Sequence, residues 1–174
     1  MISAALYCHH WLKDFYMNRS TISSVFLTAL LLSVPAHAQG EAPCTIKTGK
    51  KSSCAPIIGC IPATGVFFSG RALGWNKGIL AGTTSDGAVC TGDWVSRNAL
   101  GLGASNIFCD NGVNAKVFFF YQDSLTGTAT GHGITNSGNK IQVWAGQNIK
   151  AYISKETGQV DPKLLCGTTE IPIS

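Results

Sequence analysis

Residues 104–121 read ASNIFCDNGVNAKVFFFY. The run 113–121 is rich in valine and phenylalanine, and Asp110-Asn111-Gly112 separates it from 104–109. Asp, Asn and Gly tolerate the positive φ that a tight reversal demands, so the stretch reads as a strand, a turn and a returning strand. The same unit occurs twice more. Ser85-Asp86-Gly87 joins 79–84 to 88–96, and Asn136-Ser137-Gly138-Asn139 joins 127–135 to 140–145. Laid over one another, TTSDGAVC, IFCDNGVNA and GITNSGNKI form a weak internal repeat of hairpins.

With a strand at 66–68 before the series and one at 148–153 closing it, the chain reads as an all-β antiparallel meander of about seven or eight short strands. A parallel sheet would need helical crossovers for which the chain has no room. A small barrel is favoured over a sandwich, because closure removes the exposed edges of a meander. Residues 161–165 are expected to make a short helical turn.

Alternation assigns the faces. Val113, Ala115, Val117, Phe119 and Tyr121 share one side of their strand, and Asn114, Lys116, Phe118 and Phe120 share the other. Ile141, Val143 and Ala145, then Ile149, Ala151 and Ile153, continue the apolar side, against Lys140, Gln142, Trp144, Lys150 and Tyr152. The second face is polar but carries Phe118, Phe120, Trp144 and Tyr152, which are the candidate binding residues.

Residues 17–38 (MNRSTISSVFLTALLLSVPAHA) have the basic start, apolar middle and Ala36-His37-Ala38 end of a secretory signal peptide. This predicts three parts. Residues 1–38 are a cleaved leader, with translation best started at Met17, 39–62 a loop-rich segment anchored by disulfides, and 63–174 a β-domain with a C-terminal tail. The apolar middle is too short for a membrane span, so no span is expected in the mature chain. A periplasmic or secreted location follows.

Beyond position 38 the chain keeps eleven basic and eight acidic residues, too mild and scattered an excess for a nucleic-acid partner. It also keeps six cysteines, Cys44, Cys54, Cys60, Cys90, Cys109 and Cys166. An even number in an exported chain predicts three disulfides. The hairpin pairing favours a Cys90–Cys109 bridge and leaves the other four to tie down the N-terminal segment and the tail. Their spacing matches no metal site, and neither a metal nor a cofactor is expected.

His132 is the one histidine that survives removal of the leader. It ends the polar side Thr126, Thr128, Thr130, His132 of a strand whose other side is Gly127, Ala129, Gly131, Gly133. Such a strand can line a ligand groove with His132 as a base, or it can offer a small face on which bulky side chains pack. The second reading is preferred, because a histidine without a neighbouring partner is seldom catalytic. Asp86 and Asp110 belong to turns, and no carboxylate pair or nucleophile motif stands out.

The plan of a small exported β-protein with bridging cysteines and a late Trp144-Ala145-Gly146 segment loosely resembles the periplasmic inhibitors of lysozyme over residues 108–153. No inhibitory motif transfers residue by residue, so the resemblance is one of class. The expectation is a non-catalytic binding protein of the cell envelope or periplasm, engaging a protein or glycan through its aromatic-dotted face. Its rivals are a small hydrolase using His132 with Asp93 or Asp123, a lysozyme-inhibitor-like protein and a structural envelope component.

Overall fold

Gly87, Gly112 and Gly138 take φ values of 93°, 83° and 84° at three hairpin apices, as the turn chemistry required. The structure is a computed structural model that describes residues 43–173. The expected leader lies outside the described residues. Eight antiparallel strands follow in chain order: β1 (Cys54–Ile61), β2 (Val66–Trp75), β3 (Lys77–Thr84), β4 (Val89–Val95), β5 (Gly103–Cys109), β6 (Asn114–Gln122), β7 (Ala129–Thr135) and β8 (Lys140–Ala145). Each pairs with the next, and β8 returns to β1 from Ile57↔Ala145 to Cys60↔Gln142, closing a barrel. A helix, α1 (Ile149–Thr157), and a two-stranded hairpin, β9 (Leu164–Cys166) with β10 (Thr169–Ile171), complete the chain.

Ile57, Phe68, Leu80, Ile107, Val117 and Val143 fill the interior. Eight strands leave little width inside, and glycine makes the room. The Phe68 ring lies where side chains at positions 70 and 82 would start. A Cβ on Gly70 would be 2.7 Å from its Cζ, and one on Gly82 would be 2.8 Å from its Cε2. Around Phe68, Ile107 and Ile141 only about 30 Å³ stays empty.

All three cysteine bridges form: Cys44–Cys54, Cys60–Cys166 and Cys90–Cys109. Cys90 and Cys109 are direct partners in the β4–β5 ladder, which is why the hairpin reading found them.

Four local expectations change. Cys54–Ile61, read as part of a loop, is the first barrel strand. Pro56 is tolerated there because its carbonyl accepts the Gly146 N–H, so its nitrogen also faces β8, one residue outside that ladder. The expected strand at 148–153 is helix α1. Closure of β8 onto β1 leaves no edge for a ninth strand, and Ile149 and Ile153, two strand steps apart in the alternation, are also one helical turn apart. The expected helical turn at 161–165 gives way to β9 and β10. Tyr121 leaves the face of Phe119 because the β6–β7 register shifts between them. A bulge of this kind turns the following side chain outward.

Outside the barrel, Trp144 and Ile58 are partners across the β8–β1 ladder. Ile149, Leu164 and Ile171 cover them, and the Cys60–Cys166 bridge holds the cover in place. Trp144 is 7% exposed, so it is removed from the outer aromatic face.

Candidate functional site

The two ends of the barrel are built differently. The glycine-bearing hairpins close one end. At the other end stand the N-terminal segment 43–53, the β2–β3 turn at Asn76, the β4–β5 loop, the β6–β7 loop and the end of β8. These surround an open cavity of about 960 Å³ that runs into the barrel.

Its inner wall carries Trp94, Phe119 and the small residues Ala129 and Ala145, with Trp75 nearer the rim. Phe119 and Trp94 alternate inward on β6 and β4, and Ala129 does so on β7, where a large residue would fill the space. The Trp94 indole N–H donates to the Leu73 carbonyl at 3.1 Å, which fixes the ring and satisfies its polar atom.

The rim is polar. Lys77 opens β3 opposite Val95, and the Ser96 N–H donates to the Asn76 carbonyl at 2.7 Å, tying the β4–β5 loop to the β2–β3 turn. Lys77 and Arg97 therefore stand on the same side of the opening. Asp123 lines it from the β6–β7 loop. Its carboxylate accepts the Thr126 hydroxyl at 2.6 Å and the Leu125 N–H at 2.9 Å, and these bonds, the Thr126 one foremost, hold its pKa below the usual aspartate value.

The segment 43–53 is a small clamp. The Cys54 N–H donates to the Thr45 carbonyl and the Lys47 N–H to the Ser53 hydroxyl, while Cys44–Cys54 closes the turn. Ile46 of this segment lies against Gly127, where a Cβ would come within 2.5 Å of its Cδ1, and both residues line the cavity.

The residues singled out from sequence lie elsewhere and do not form one site. Phe118 and Phe120 are exposed on the outer wall, at 39% and 61%. His132 is beside them, exposed, with its ring stacked on Phe120 at 4.9 Å. Tyr152 is on α1, packed at 4.8 Å against Tyr121, and burial raises its pKa, with Glu156 and Tyr121 adding to the effect. Of the polar side of β7 and its approach, Thr128 lines the cavity but His132 does not. Gly131 and Gly133 face inward, opposite Phe119 and Val117.

His132 also lacks the carboxylates proposed for it. Asp93 is on β4, three strands away, and accepts a bond from Asn106, while Asp123 is engaged within its own loop. Among the described residues no group of three or more His, Cys, Asp or Glu side chains is placed to hold a metal ion. None of their helices is long and apolar enough to cross a membrane.

The cavity itself was not read from sequence. Its residues come from five separated segments, and the one signal was negative: the connections at 96–102 and 123–128 are longer than the three hairpins and lack their shared pattern.

No family model matches the chain, and no curated protein matches it. Among solved structures it is similar to a redesigned β-barrel, mFAP0, bound to DFHBI, at 17% identity and a TM-score of 0.43, over 55% of this chain and 97% of that one. It is also similar to a de novo designed fluorescence-activating β-barrel, at 10% identity and a TM-score of 0.43, over 55% of this chain and 91% of that one.

Proposed function

We propose that this chain is a non-catalytic binding protein of the exported class and that its ligand sits in the open mouth of the barrel. The cavity of about 960 Å³ carries the reading. It has the size and the mixture of aromatic wall and sparse polar rim that small-molecule sites share, in a place where barrels commonly hold ligands. The three disulfides are compatible with an oxidising compartment outside the cytoplasm. The outer face supports a protein or glycan partner less well, since Trp144 is covered and Tyr152 packs against Tyr121.

The test is a fluorescence titration with an uncharged aromatic dye, N-phenylnaphthylamine. Saturable binding is expected in the native chain and in Phe120→Ala and His132→Ala. It should be lost in Ala129→Trp and Ala55→Phe, which fill the mouth from two strands. Binding that survives both filling variants, or that disappears with Phe120→Ala, overturns the assignment to the mouth.

A further inference from the structure

We infer that the mouth selects small aromatic anions: a planar ring system held by Trp75, Trp94 and Phe119, with its carboxylate, sulfonate or phosphate group at Lys77 and Arg97. The inference rests on the mouth being the ligand seat.

Three observations support the charge preference. First, the backbone bond from Ser96 to Asn76 brings the backbones at Lys77 and Arg97 to one side of the opening, and both residues border it. Among the described residues neither forms an ion pair, whereas Lys150 and Lys163 are paired with Asp161 and Glu170. Second, Asp123 is the one acid among the lining residues, and both of its oxygens already accept bonds from its own loop. It remains an anion, so the lining residues carry two positive charges against one negative. Third, the segment that rims the mouth adds Lys47, Lys50 and Lys51. The mouth end is therefore net positive, which draws anions toward the opening.

The wall accounts for the ring. With its N–H bonded to Leu73, Trp94 offers the cavity an aromatic surface with no unmet polar atom. Phe119 is buried at the bottom, so a planar ligand meets apolar walls inside and cations only at the rim. Lys77 and Arg97 are both exposed, so an acid group between them keeps part of its hydration while the ring is buried, and the charge-assisted bonds orient the ligand.

The experiment compares two dyes with the same ring skeleton, anilinonaphthalene sulfonate and the uncharged N-phenylnaphthylamine. Both are titrated into the native chain, the double variant Lys77→Gln/Arg97→Gln, and Phe118→Ala/Phe120→Ala. The native chain should bind the sulfonate about tenfold or more tightly than the neutral dye. The preference should shrink to about twofold or less in the Lys77/Arg97 variant, whose unchanged affinity for the neutral dye shows an intact cavity, and should weaken as salt is raised. It should persist in the Phe118/Phe120 variant. Equal or tighter binding of the neutral dye by the native chain overturns the inference and leaves the mouth as the seat. So does a preference that survives the loss of Lys77 and Arg97, or one that disappears with Phe118 and Phe120. If neither dye binds the native chain, the seat and its selectivity fall together.

Discussion

Asn136 grips Asn114 at two points: its N–H donates to the Asn114 carbonyl at 2.8 Å, and its side-chain Oδ1 accepts the Asn114 N–H at 3.1 Å. Asp110 does the same to Val89, and Ser85 to Phe67. These are the corresponding positions of the three repeated hairpins. One short side chain, placed two residues before the turn glycine, thus fastens each hairpin to the strand preceding it and pins the register of the closed end.

Replacing Asn136 by alanine should therefore cost about 1–2 kcal/mol, since it removes the bond to Asn114 and a second one from its Nδ2 to the Gly112 carbonyl. Urea unfolding should show a lower midpoint at an unchanged slope. An unaltered midpoint would mean that water replaces both bonds without loss.

Removing the Cys60–Cys166 bridge as a double alanine variant should destabilise the fold by about 2–4 kcal/mol, because the bridge closes a loop of 106 residues. Loss of Cys44–Cys54, across only 10 residues, should cost less. Amide exchange at 164–171 should accelerate first in the Cys60/Cys166 variant, since that hairpin covers Trp144. Equal acceleration throughout the barrel would show that the cover is not a separate unit.

Acid should loosen the β6–β7 loop before the barrel. Asp123 is held below its ordinary pKa by the Thr126 hydroxyl and then by the Leu125 N–H. On acidification the unfolded chain therefore takes up this proton first. The contribution is full above about pH 4 and is lost as pH falls through the depressed folded value. The protection of the Leu125 and Thr126 amides, taken from NMR exchange rates corrected for their intrinsic pH dependence, should fall in that range. In Asp123→Ala the protection should be low at all of these pH values and lose its dependence; a dependence that persists there would assign it to another group.

The barrel was legible because its turns are chemically explicit and its strands alternate. Where two explanations share one pattern, legibility ends. Ile149 and Ile153 fit a strand and a helix equally, and only the closure of β8 onto β1 decides between them. Pro56 and the clustered cysteines made β1 look like loop, because local chemistry does not reveal that the strand has a short ladder on one side. The outward side of Trp144 follows from alternation, but its cover comes from residues up to 27 positions further along, at Ile171. The mouth is hardest to read, since Trp75, Trp94, Lys77, Arg97 and Asp123 acquire a common purpose only once the barrel has formed.

The joint between β8 and β1 has four residue pairs, fewer than any other ladder in the barrel, and its two strands are the first and last of the barrel to be synthesised. Until they meet, the sheet is open and presents two bare edges of the kind that invite pairing between copies. Cys60 stands at the end of that joint and is tied to the tail by Cys166. Oxidation thus acts as a latch on closure, and a chain kept reduced is expected to fail by edge-to-edge assembly as much as by unfolding.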